Sequence, residues 1–189
     1  VACVLLLIRQ NIWTFPLGLI YAAVTVVVLF YQQLYINLLE NLYYLVMNAY
    51  GWIYWQRGQA VASGGLSAAT LPQTLPITRL SRRDWLPIVA FIAVVTLTLG
   101  FGFDRYTDAD LAYWDSFTTT VSFVAMWLAA RKVIDNWWLW LLVDVLYVGL
   151  YSSKGLMPYA LLYTIYIALA VWGFRAWQDA WRSQRALLT

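Results

Sequence analysis

The densest chemistry in this sequence lies between Asn136 and Tyr151, NWWLWLLVDVLYVGLY. At helical spacing, Trp137, Trp140, Asp144, Tyr147 and Tyr151 share one face, in steps of three and four. A carboxylate inside an apolar run is costly at membrane depth, so it is expected to face a cavity, a partner or a substrate. Aromatic rings around one acid suit a flat cation, whose charge the acid balances and on whose face the rings stack. The alternative is that the rings pack and Asp144 pairs with a neighbouring helix.

A second polar stripe, Glu40, Asn41, Tyr44 and Asn48, rises along another apolar helix. A weaker one is made by Asp115, Thr119, Ser122 and Met126. Asp115 stands where a helix begins, and there an acid suits the helix dipole. Thr118 to Thr120 are expected to hydrogen-bond their own helix. There is no histidine and one cysteine, Cys3, which removes histidine triads, histidine metal sites and disulfide scaffolds. No two carboxylates stand close together on one helix. A membrane enzyme is therefore disfavoured, and neither cofactor nor metal is expected.

The elements that must position these residues are membrane helices. Of 189 residues, 63% are hydrophobic and 11% charged, and the mean hydropathy is +0.66. Soluble domains are about 45–50% apolar and about 25% charged. The 12 Trp and 14 Tyr suit membrane interfaces and amphipathic pockets. The chain reads as an all-α integral membrane protein. Residues 1–8 are too short for a span of about 20 residues and read as the end of a truncated first helix. Helices are expected at 12–31, 34–56, 85–103, from 114 to Arg131-Lys132, at 136–151 and at 156–177, with a tail at 179–189. Residues 57–84 read as a linker and 104–113 as an acidic loop. Trp52, Tyr54 and Trp55 fall at a helix end, where an aromatic belt is the default.

Charge tests this arrangement. Alternating sides puts ten of the 12 Lys and Arg on one side, leaving Arg105 and Lys154 on the other. The positive-inside rule makes the ten cytoplasmic. The N-terminus is then outside, the C-terminus inside, and the helices number seven. A net charge of +3 distributed in this way argues for cytoplasmic loops rather than nucleic acid.

The two polar helices also belong to a repeat. Residues 33–56 overlay 155–178, aligning Leu34/Leu156, Leu39/Leu161, Tyr44/Tyr166, Gly51/Gly173, Trp55/Trp177 and Gln56/Gln178. With a three-residue gap, Asn11 meets Asn136, Trp13 meets Trp138, Phe15 lies opposite Trp140 and Leu19 opposite Asp144. Three helices (1–56), a connecting helix (85–103) and three more (114–178) follow, as two parallel repeats in a 3+1+3 plan. Such repeats occur in transporters, with substrate held near the midplane between them. Asp144 would then face Glu40, Asn41 and Asn48. Pro16, Gly18 and Gly173 are candidate flexible points or, equally, sites of simple close packing.

Several segments carry a family resemblance: NIWTFPLGLIY (11–21), LY and NAYGW (34–35 and 48–52), WDSFTTTVSFVAMW (114–127), ARKVIDNWWLW (130–140) and LLYTIYIALAVWG (161–173). Over nearly its whole length the chain resembles the PnuC-type vitamin-precursor transporters, which share the 3+1+3 plan of the SWEET sugar transporters. The resemblance implies facilitated diffusion of nicotinamide riboside across the bacterial inner membrane, with cytoplasmic phosphorylation trapping the riboside. It departs at Asp144 and Tyr21, where nicotinamide riboside carriers are expected to have Asn, although Asp at the first position occurs in part of the family. A carrier of thiamine or another vitamin or nucleoside is the nearest alternative. A non-transporting assembly or receptor protein is the alternative of another class. For a riboside with a cationic ring, Trp140, Trp52, Tyr147 and Tyr151 would supply flat surface beside Asp144. Asn48, Asn41, Glu40 and Tyr44 would bond hydroxyls, and Tyr163 and Tyr166 would close the pocket. Asn41 and Asn48 could instead bridge helices. The expected partners are this small cation and the lipid bilayer, and a homo-oligomer is compatible with the chain.

Overall fold

The structure, a computed structural model, describes residues 1–33, 35–63, 75–107 and 111–186. Its elements are α1 (Ala2–Ile8), α2 (Thr14–Tyr31), α3 (Tyr35–Ser63), α4 (Arg82–Tyr106), α5 (Ala112–Ala130), α6 (Asn136–Ser153) and α7 (Met157–Ala186). The helix ends follow local chemistry. Pro16 sits in the first turn of α2, where its missing N–H is not needed. Ser81 and Asp84 form a capping box at the start of α4, with Ser81 N–H donating to Asp84 at 2.7 Å. α3 runs on to Ser63 instead of ending at Gln56, and α7 absorbs most of the expected tail. The Gly- and Pro-rich stretch 64–74 lies outside the described residues.

Six helices close a ring in the order α1, α2, α3, α5, α6, α7 and back to α1, and α4 packs on α5 alone. The outward faces of α2 and α4 are apolar and exposed, with Val24, Val27 and Val28 on one and Leu86, Val89, Val94 and Leu97 on the other. Such extended apolar faces suit lipid rather than water. Among the described residues three helices, α2, α4 and α7, are long and apolar enough to cross a membrane. α3, α5 and α6 carry the polar and aromatic residues that lower hydropathy, and α1 spans only seven residues.

Local geometry recurs at a fixed spacing of 122 residues. α1 ends with Gln10 at φ 54° and α5 ends with Lys132 at φ 60°. Gln10 N–H donates to Leu7 and Asn11 N–H to Leu6, while Lys132 N–H donates to Ala129 and Val133 N–H to Leu128. This is the Schellman pattern, in which a left-handed residue closes the helix. Gln33 (φ 59°) and Gly155 (φ 70°) end α2 and α6 in the same register. The three-residue gap expected from sequence is therefore not needed. Phe15 stands opposite Trp137 rather than Trp140, and Ala22 rather than Leu19 stands opposite Asp144.

The same register organises the core. Phe15 meets Trp55 edge-on at 5.0 Å, and Trp137 meets Trp177 edge-on at 5.6 Å. Each pair needs a glycine, because a Cβ at Gly51 would collide with the Phe15 ring and one at Gly173 with the Trp137 ring. Gly173 thus serves close packing. Trp55 Nε1–H donates to the Ala130 carbonyl at 2.9 Å, and Trp177 Nε1–H to the Leu7 carbonyl at 3.1 Å. These two bonds tie α3 to the end of α5 and α7 to the end of α1.

One feature breaks the correspondence. Residues 75–81 lie as a strap across the α5–α6 turn. Thr78 N–H donates to the Lys132 carbonyl and Ile134 N–H to the Thr78 carbonyl. Leu80 N–H donates to Asp135, which also faces Arg79 at 4.0 Å. Ile77 N–H donates to Gln184 on α7. Lys132, only 2% exposed, donates to the Leu75 carbonyl at 2.7 Å and lies 4.8 Å from the Trp55 ring centre. Burial pushes its ammonium down from 10.5 to about 8.

This burial has a measurable consequence. Below pH 8 the lysine is charged whether folded or unfolded, and the folded state bears the cost. Between pH 8 and 10.5 the unfolded chain holds the proton that the folded one has released, so stability rises with pH through that window. The detergent-purified protein is expected to gain up to about 3 kcal/mol from this group by pH 10.5. Thermal melts of wild type against Lys132→Met measure it. An identical pH trend in the two proteins would refute the assignment.

Candidate functional site

A cavity of about 380 Å³ lies inside the ring, within the roughly 300–1,000 Å³ usual for small-molecule sites. Every ring helix lines it and α4 does not. Most of the residues expected from sequence meet there: Glu40, Asn41, Tyr44 and Asn48 from α3, Trp140, Asp144 and Tyr147 from α6, and Tyr163 and Tyr166 from α7. Two do not line it. Trp52 packs against the aromatic core around Trp55. Tyr151 belongs to a tyrosine stack, 5.2 Å from Tyr159 and 5.5 Å from Tyr163. That stack reaches the cavity through Tyr163, whose ring centre is 4.7 Å from Tyr147.

Asp144 is buried, at 6% exposure, and faces Tyr163 and Tyr166. Among the described residues it accepts no hydrogen bond and pairs with no cation. The expected alternative, a neighbouring helix pairing with it, does not occur. Glu40 lies against the Tyr44 hydroxyl, which also faces Ser122. Asn41 and Asn48 each donate one amide N–H to the carbonyl four residues back, Asn37 and Tyr44, rather than bridging helices. Each keeps its amide oxygen and a second N–H for a guest. Gly18 makes room for Asn48, since a Cβ there would strike the Asn48 amide. Its lack of a Cβ permits this close approach, the packing alternative expected from sequence.

Sequence reasoning left several lining residues unassigned: Cys3, Thr14, Phe15, Gly18, Tyr21, Ala22, Ser122 and Met126. The stripe of Ser122 and Met126 on α5 was a usable signal. Thr14 and Cys3 gave none, because Thr14 spends its hydroxyl on the Cys3 carbonyl and only the closed ring brings both inward. Thr118 and Thr120 bond their own helix, as expected, and Tyr147 donates to Thr118 at 3.3 Å. A larger cleft of about 800 Å³ lies between α3, α4 and α5. Its walls are mainly apolar, including Ile88, Phe91, Phe123 and Leu128, and its charged groups are Asp84 and Arg131. The cleft offers little to orient a polar guest.

The inner cavity thus joins two carboxylates, two amides and several aromatic faces, with no Lys or Arg among its described lining residues. Residues 1–179 match the model of the family described as nicotinamide mononucleotide transporter. The chain belongs to this family. The family is one of transporters, not enzymes, and with its apolar helices the chain is a multi-pass membrane protein. Its relatives include the nicotinamide riboside transporter PnuC of Escherichia coli, 28% identical over 96% of this chain and 82% of the relative. The riboflavin/roseoflavin transporter RibM of Streptomyces davaonensis is also 28% identical, over 89% of this chain and 76% of its own. Among solved structures, the vitamin B3 transporter PnuC shares the fold at a TM-score of 0.71 and 24% identity, over 96% of this chain and 78% of that one.

Because Asp144 has no partner among the described residues, its removal orphans none of them. Asp144→Ala is expected to melt at or above the wild-type temperature while cation binding weakens roughly tenfold or more. Calorimetric titration beside a thermal melt reads both, and undiminished binding would remove Asp144 from the site. Gly18→Ala is expected to displace the Asn48 amide and raise KM about tenfold for a hydroxyl-bearing substrate, with little change for an analogue lacking those hydroxyls.

Proposed function

We propose that this protein takes up nicotinamide riboside across the bacterial inner membrane by facilitated diffusion and alternating access. One observation carries the reading: two carboxylates, Asp144 and Glu40, in an aromatic cavity without Lys or Arg among its described lining residues. A pyridinium ring supplies the missing positive charge. Its flat face suits Trp140, Tyr147 and Tyr163, and cation–π contact with a desolvated ring contributes about 2 kcal/mol. The ribose hydroxyls suit Asn41, Asn48 and Glu40. A phosphate ester would bring negative charge to two carboxylates, so the riboside is favoured over its mononucleotide. The neutral ring system of riboflavin would leave Asp144 uncompensated. The names of the PnuC relatives agree with this cargo.

In this reading the six ring helices are two parallel three-helix repeats and α4 is the connection between them. The recurrence at 122 residues and the swapped contacts of α3 with α5 and α7 with α1 support it. The end bearing Arg9, Arg57, Arg79 and Arg131 is cytoplasmic, with the N-terminus outside and the C-terminus inside.

Proteoliposomes test the cargo. Labelled nicotinamide riboside is expected to enter saturably without a proton gradient or ATP. Excess unlabelled riboside should compete, and the mononucleotide should not. Stronger competition by thiamine than by the riboside would reassign the carrier to thiamine. Equal competition by the mononucleotide would sink the charge argument.

A further inference from the structure

The cavity floor at the basic end is aromatic. Phe15 and Trp137 line the cavity, and Trp55 and Trp177 lie beneath them, 1% and 0% exposed. A guest leaving toward the basic end must pass these rings. The bonds that hold them cross between the halves of the ring. Trp55 on α3 donates to the last turn of α5, and Trp177 on α7 to the last turn of α1. Both acceptors are carbonyls at helix ends, Ala130 as the last residue of α5 and Leu7 in the last turn of α1, where the Leu7 carbonyl also accepts from Gln10 N–H. When the halves part, water can take over such carbonyls. Higher on the same contact, Tyr43 donates to the Phe123 carbonyl at 2.8 Å. That bond can hold α3 on α5 while their lower ends separate. The closed floor also carries an unmet donor, because Trp137 Nε1 is buried without an acceptor among the described residues. An unmet buried donor opposes closure and favours a floor that opens.

We propose that the Phe15, Trp55, Trp137 and Trp177 floor is the gate at the basic end, latched by the two crossing indole-to-carbonyl hydrogen bonds. The inference rests on the reading of the protein as a carrier but not on the identity of its cargo. Opening releases both indoles from Ala130 and Leu7 and joins the cavity to the basic side.

Cys3 is a reporter already in place. It is the one cysteine of the sequence, it lines the cavity, and it lies about one turn from Leu7 on α1. The experiment measures labelling of Cys3 by a membrane-impermeant maleimide in right-side-out and inside-out vesicles without substrate. A Cys3→Ser/Arg182→Cys control, with its thiol on the exposed basic end, identifies which vesicles present that end. Trp55→Phe and Trp177→Phe keep a ring and delete the donor. Each is expected to raise labelling from the basic side about 5-fold, and the pair about 30-fold. Labelling from the opposite side should not rise. Unchanged basic-side labelling in the folded double variant, or an equal rise from both sides, would overturn the gate. The unaltered protein gives a second reading that needs no indole variant. Its Cys3 should label from the basic side far more slowly than the control thiol, and equal rates would overturn the gate as well. Absence of riboside uptake in wild type would count against the cargo and leave these labelling results standing.

Discussion

Two edge-on ring pairs, Phe15 on Trp55 and Trp137 on Trp177, hold this bundle in shape. In lipid the hydrophobic effect gives little reason for one apolar helix to choose another, so close packing and hydrogen bonds decide. Gly51 and Gly173 let each ring reach the backbone of the next helix. The two indole N–H groups then fasten α3 to α5 and α7 to α1. These contacts help close six helices into a ring, and the ring encloses the cavity.

The cavity has a charge that the protein does not balance. Asp144 and Glu40 face inward, and no Lys or Arg stands among the described lining residues. A buried carboxylate without a partner lowers stability. The same carboxylate discriminates strongly among guests, because a cation removes the cost and an anion adds to it. Tyrosines dominate the remaining wall, and they offer both a ring face and a hydroxyl. The two amides are held by their own helix, so their free atoms are presented at fixed positions.

Helix ends 122 residues apart are alike in geometry and unlike in chemistry. The left-handed turn residues are Gln10 in one and the buried Lys132 in the other. Only the second carries the strap of residues 75–81. Ala22 stands where the second half has Asp144. Burial raises the Asp135 carboxyl above the usual range, partly offset by Leu80 N–H and Arg79. The two carboxylates of the cavity therefore stand at unrelated positions, Glu40 on α3 and Asp144 on α6.

Composition, helical spacing and the distribution of arginines determined the helical membrane class and the polar stripes on α3 and α6. Those properties are local, because a helix fixes which residues share a face. The family was legible because its motifs are contiguous strings such as ARKVIDNWWLW. The register of the repeat was not legible upstream of Gln33, since apolar sequence aligns almost equally well with or without a gap; turn hydrogen bonds set it. Nor could spacing place Trp52 and Tyr151 outside the cavity, or Cys3, Thr14 and Gly18 on its wall. Which face of a helix meets a void depends on how its neighbours approach, and that approach is decided by rings meeting glycines on the next helix, Phe15 on Gly51 and Trp137 on Gly173.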